Sequence, residues 1–142
     1  MYKEILIPVD LATESSWGKA LSTAIALCRT FGARLHVVNV VPDFGLSMVS
    51  QYFPEGYEQQ MIDNADKMLH ALVKEQVPDE ITVQCIVASG SIYHEVISAA
   101  KQTGADLIVM QSHRPELTDY LLGPNAAKIV RHAGCSVMVV RG

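Results

Sequence analysis

Apolar residues along this chain recur with two alternating periods, one of a buried strand and one of an amphipathic helix. Glu4–Val9 (EILIPV) is a short, near-continuous apolar run and reads as a buried strand, with Asp10 just past its end. Leu11–Thr13 makes a short loop, Thr13 suits an N-cap and Glu14 suits a first helical turn. Leu21, Ile25 and Cys28 then fall on one helical face, with Ala24 and Leu27 beside them, as far as Phe31. Gly32 is well chosen for the residue beyond the helix end. Arg34–Val41 (RLHVVNVV) is the second strand, stopped by Pro42. Residues 42–56 form a connection rich in Gly, Pro, Ser and aromatic residues, the length of a lid or of a plain surface loop. A second helix is predicted over Tyr57–Gln76, with Met61, Ala65, Met68, Leu69 and Leu72 on one side as core filling, and Pro78 ends it. Glu80–Ala88 (EITVQCIVA) is a third strand. Ser89-Gly90-Ser91 turns it into a helix over Ile92–Thr103, with Ile92, Val96, Ala99 and Ala100 inward and Gly104 as its cap. Leu107–Met110 is the fourth strand, followed by a polar turn Gln111–Arg114 and a loop to Leu122. Gly123 precedes a helix over Pro124–His132, and Ser136–Val140 (SVMVV) closes the series.

Strand and helix alternate five times, with the last helix missing. That order predicts an α/β doubly wound fold, a five-stranded parallel sheet in the order 3-2-1-4-5 with helices on both faces, as one domain over residues 1–142. Ligands of such sheets bind beyond the carboxyl ends of the strands, where the order reverses. Here that point lies between the first and fourth strands, and it brings Asp10 together with Gln111–Arg114. The helix opening at Gly123-Pro124-Asn125 turns its free N–H groups towards the same loop, an arrangement that suits an anion.

Composition narrows the function classes. The chain has 142 residues, 49% hydrophobic and 18% charged, with a net charge of −4. Nothing makes a basic face, so nucleic acid is not an expected partner. Met1-Tyr2-Lys3-Glu4 runs into a strand without a signal-peptide pattern, and no apolar run reaches the roughly 18 residues of a membrane span. A cytoplasmic location is the expectation. Cys28, Cys85 and Cys135 sit in apolar segments without CxxC spacing and read as reduced core thiols. None of His36, His70, His94, His113 and His132 is spaced as a metal pair. The dinucleotide fingerprint GxGxxG, the Walker sequence and the GxSxG elbow are all absent. His113 stands beside Ser112 and Arg114 in the switch-point loop, yet no nucleophile can be paired with it by spacing. Asp10 has two readings, as acceptor for ribose hydroxyls or a metal ion, or as a cap for its own loop. Arg114 either pairs with a phosphate or makes a salt bridge to Glu116 or Asp119.

Read together, ILIPVD (Ile5–Asp10), LHVVNVVP (Leu35–Pro42), VASGSIYHEVISAA (Val87–Ala100), ADLIVMQSHRP (Ala105–Pro115) and YLLGPNAAKIVRHAGCSVMVVRG (Tyr120–Gly142) resemble the universal stress protein family over the whole length, and most of all its bacterial F/G subgroup. The resemblance implies a homodimer through Ser136–Val140, and ATP in the crevice, with or without Mg2+, or else ADP or AMP. Pro8, Val9, Asp10 and Met110 would line the nucleotide, and Val40 would meet adenine through its backbone. Nucleotide-binding members hold phosphates on a G-x-x-G pattern, nine residues, then G-[ST]. Here those positions read Gln111-Ser112-His113-Arg114, eight residues, then Gly123-Pro124. Ser112, His113, Arg114, Gly123, Pro124 and the N–H groups of Asn125 and Ala126 would stand on the phosphate side. Ala12 replaces a family serine. The functions to weigh are a nucleotide-dependent interaction protein of the stress response, a dimeric interaction module without nucleotide, and a slow ATPase.

Overall fold

A computed structural model describes residues 1–41, 56–112 and 123–142. Its strands are β1 (Glu4–Pro8), β2 (Arg34–Val41), β3 (Val83–Ser89), β4 (Leu107–Ser112) and β5 (Ser136–Arg141). Its α-helices, among the described residues, are α1 (Gly18–Phe31), α2 (Tyr57–Gln76), α3 (Ile92–Thr103) and α4 (Pro124–His132). All strand pairs are parallel, and the order is β3-β2-β1-β4-β5, as predicted.

Strands buried on both faces need apolar residues at both parities, and β1 and β4 supply them. Ile5, Leu6, Ile7, Ile108 and Val109 are completely buried. Residues of one parity pack under α1 and α2: Ile5, Ile7, Leu35, Val37, Leu107 and Val109 with Leu21, Ala24, Cys28, Leu69 and Leu72. The other parity packs under α3 and α4: Leu6, Val38, Ile108 and Met110 with Val96, Ala99, Ala126 and Ile129. At the amino end of the sheet Asp106 accepts the backbone N–H groups of Lys3 and Glu4, fixing β1 beside β4. His36 is buried near that same end, its Nδ1 2.7 Å from Gln84 Oε1 and its Nε2 3.5 Å from a Glu4 carboxylate oxygen.

Several boundaries differ from the sequence reading. Thr13 makes no side-chain cap; Glu14–Ser16 is a 3-10 turn, and α1 starts only at Gly18. Trp17 sits between them outside helical geometry, at φ −139° and ψ −13°, with its side chain buried. Burying the indole takes precedence over continuing the helix. Gln111 and Ser112, expected in a polar turn, pair with Val140 and Arg141 and lengthen β4; the rest of that turn lies outside the described residues. β3 starts at Val83, since Ile81 N–H turns back to the carbonyl of Pro78. On α2, Ala65, Leu69 and Leu72 are buried, but Met68 is 53% exposed and fills no core. Of the cysteines only Cys28 is buried; Cys85 and Cys135 are half-buried.

Candidate functional site

The site grows from the place where β1 runs out. β1 and β4 pair only at Ile5↔Leu107 and Leu6↔Ile108, after which the two strands part. β1 stays with β2 as far as Pro8↔Val38, and Val9 N–H still donates to the Val38 carbonyl at 2.9 Å. In a parallel ladder the N–H and C=O of one residue point to the same neighbour, and the next residue points to the other side. Arg34 N–H bonds to the carbonyl of Lys3, just before β1, whereas Leu35 N–H bonds to that of Thr82 on the β3 side. Val40 has the parity of Arg34 and Val38, so its N–H and C=O face β1, one step past the last paired residue. The Val9 carbonyl that would have met Val40 is taken instead by Asn39 Nδ2 at 2.9 Å. A backbone donor and acceptor are thereby left at the crevice without a strand beside them.

Around this gap is a cavity of about 440 Å³. That volume lies within the range of small-molecule sites. Pro8, Val9 and Asp10 reach it from β1, Val40 from β2, and Met110 and Ser112 from β4. Gly123, Pro124, Asn125 and Ala126 close it from the start of α4. Ten of the residues singled out from the sequence thus surround one space. The other two, His113 and Arg114, lie outside the described residues. Ser16, Val38, Asn39, Ile92 and Gln111 also line the cavity and were not singled out as ligand contacts.

The α4 end is built for exposed amides. Gly123 is extended at φ −61° and ψ 161°, Pro124 occupies the first turn, and among the described residues no side chain caps the helix. Pro124 has no N–H, but those of Asn125 and Ala126 have no intrahelical acceptor. Ile129 and Ala126 are buried and hold this short helix on the sheet. Asp10 Oδ1 accepts Ala12 N–H at 3.0 Å, so the loop-capping reading of Asp10 holds, while its carboxylate keeps further lone pairs at the cavity.

Burial pushes the Cys28 thiol up to about 11. Burial likewise raises Cys85 and Cys135, with the carboxylates of Asp66 and Asp106 adding to the effect. Thiols held protonated are poor nucleophiles and poor ligands. Among the described residues no three His, Cys, Asp or Glu side chains come together as a metal site. No described helix is long and apolar enough to cross a membrane.

Comparison with known proteins places this architecture. Universal stress protein G of Shigella flexneri is 31% identical over 143 residues, covering 99% of this chain and 100% of the relative. Universal stress protein UspA from Lactobacillus plantarum superposes with a TM-score of 0.74 at 24% identity, covering 99% of this chain and 98% of that one. A universal stress protein from Archaeoglobus fulgidus, solved in complex with dAMP, superposes with a TM-score of 0.60 at 15% identity, covering 98% of both chains. Residues 1–141 match the model of the Universal stress protein family, and the chain belongs to that family.

Proposed function

We propose that this chain binds an adenine nucleotide, ATP first among them, in the cavity at the carboxyl ends of β1, β2 and β4. The observation that carries the reading is the unpaired N–H and C=O of Val40 facing the gap that Asn39 leaves open. One donor and one acceptor on a single backbone residue match the ring nitrogen and exocyclic amine along one edge of adenine. The side chains of Val9 and Met110 supply apolar contact, and Asp10 accepts the ribose hydroxyls. The N–H groups of Asn125 and Ala126, with Gly123 and Pro124 at the helix start, receive phosphate oxygens. Ser112, His113 and Arg114 complete the phosphate side, the guanidinium pairing bidentately. Pro124 removes a hydroxyl and an N–H from this cradle, so Arg114 carries more of the phosphate binding. With no carboxylate cluster in the described residues, Mg2+ accompanying ATP would be held by phosphates and water. The dAMP complex of the A. fulgidus relative supports an adenine mononucleotide as the ligand class.

In this reading the protein is a cytoplasmic homodimer of the stress response, joined through β5, whose contacts with other proteins depend on the bound nucleotide. β5 supports the dimer because it is an edge strand with Met138 37% exposed, and edge strands of this kind invite a partner. The test is mass spectrometry of nucleotide released from the purified protein, followed by calorimetric titration with ATP and Mg2+. An adenine nucleotide in the released fraction and saturable heat are expected. Neither nucleotide nor heat would leave the dimeric interaction module as the function.

A further inference from the structure

Gln111 stands at the first position of the G-x-x-G pattern, and its side chain makes two bonds that a glycine could not. Its Oε1 accepts Ala20 N–H at 2.9 Å, and its Nε2 donates to the Ser15 carbonyl at 2.7 Å. Ser15 belongs to the segment that connects β1 to α1, and Ala20 to the first turn of α1. Ala20 is the third residue of α1, so its N–H has no acceptor within the helix. Trp17, at the cap position, provides no side-chain bond. Gln111 therefore caps α1 from a different strand.

Residues 10–17 are otherwise hydrogen-bonded to one another. Asp10 Oδ1 takes Ala12 N–H, and the Asp10 carbonyl takes Thr13 N–H. The Thr13 carbonyl takes both Ser16 N–H and Ser16 Oγ, and the Glu14 carbonyl takes Trp17 N–H. These short-range bonds shape the segment; the buried Trp17 and the bond from Lys19 Nζ to the Arg141 carbonyl hold its far end, and Gln111 ties its middle, at Ser15, to the sheet. Asp10 and Ser16 both line the cavity, so the place of this segment decides where a ligand meets them.

We propose that Gln111 is a positioning residue, which locks the β1–α1 segment to β4 so that Asp10 is presented to the ribose of a bound nucleoside. The proposal rests on the adenine-nucleotide reading for its ligand. The two bonds of Gln111 do different things, and Gln111→Glu separates them. A carboxylate still accepts Ala20 N–H, with an acidic group favoured at a helix start, so α1 stays capped. It has no hydrogen to offer Ser15, so the lock opens.

Adenosine and free adenine are the probes, because neither carries a phosphate that an added negative charge would repel. In Gln111→Glu the thermal midpoint stays near that of the parent protein. Adenosine affinity falls about tenfold, the scale of one hydrogen bond to a charged or well-placed group, and adenine affinity stays the same. Asp10→Ala then has a smaller effect on adenosine in the Gln111→Glu background than alone, because the two residues act as a unit. Undiminished adenosine affinity, equal losses for adenosine and adenine, or additive effects of the two substitutions would overturn the assignment. Should the parent protein bind neither compound, the nucleotide reading fails by itself, and amide hydrogen exchange decides the lock. Gln111→Ala is then expected to speed exchange at Ala12, Thr13, Ser16 and Trp17 about tenfold while β4 and β5 exchange as before. Unchanged exchange at those four amides would refute it.

Discussion

Asn39 ends the pairing of β1 with β2, and replacing it with alanine tests whether the crevice depends on that. The side chain is 8% exposed and donates to the carbonyl of Val9, itself 5% exposed. Two relaxations are open to Asn39→Ala. If the backbone stays where it is, a buried carbonyl loses the donor that Asn39 gives it, which costs about 1–3 kcal/mol. At roughly 3 °C per kcal/mol for a chain of this size, the midpoint falls by about 3–9 °C. If the ladder instead extends by one residue, Val40 N–H swings to the Val9 carbonyl and most of that stability returns. The donor offered to adenine is then lost, and affinity drops about tenfold for one missing bond. Urea denaturation and adenine calorimetry on the same variant measure both. Asn39→Asp is the sharper case, because its carboxylate faces the carbonyl without a hydrogen, and it should lose stability and adenine affinity together. An Asn39→Ala protein within about 0.5 kcal/mol of the parent, with unchanged adenine affinity, would refute the account of how the sheet opens.

Three further outcomes follow from the packing. Cys28 holds its proton in the folded state up to about pH 11, whereas the unfolded thiol ionises near 9.0. Its contribution is therefore fully present below pH 9.0 and is lost as pH rises towards 11, amounting to about 2–3 kcal/mol; Cys28→Ala should flatten that part of the stability–pH curve, and an unaltered slope counts against the burial of the thiol. Ile129→Ala removes a completely buried side chain of α4 and should cost about 2–5 kcal/mol by chemical denaturation; a loss below about 1 kcal/mol would mean that α4 is not held by this contact. Met138→Lys places a charge on an exposed position of β5 and, under the proposed dimer through that strand, should give a monomer in light scattering behind size exclusion; a dimer unaffected by it would move the interface elsewhere.

The elements and their order were legible because buried parallel strands and amphipathic helices write different periods into the sequence, and handedness leaves few topologies. The switch point followed from that order, which is why Asp10 and Gly123 could be placed at one cavity from residue types alone, whereas Val40 came in only through the family resemblance. Trp17 was harder to read, since a helix start with Thr13 and Glu14 looks complete until the indole has to be buried. Asn39 reads as an ordinary polar residue in a strand; its meaning depends on β1 ending one residue short of it. Gln111 was legible only as a lost glycine. Its partners are 91 and 96 residues away in the chain, and nothing local distinguishes a polar turn residue from a cap for another element.

α4 has nine residues, and a helix that short is marginal without tertiary support. Its anchorage rests on Ala126 and Ile129, below a first turn with no side-chain cap. An element of this kind is expected to open locally at a lower free-energy cost than the sheet it lies on. An anion resting on its first turn binds the formed helix and not the frayed one, so it stabilises α4 in proportion to its concentration over its dissociation constant. Under the proposed nucleotide binding, the folded fraction of this one helix would be a gauge of ligand supply, read out on the surface between the cavity and β5.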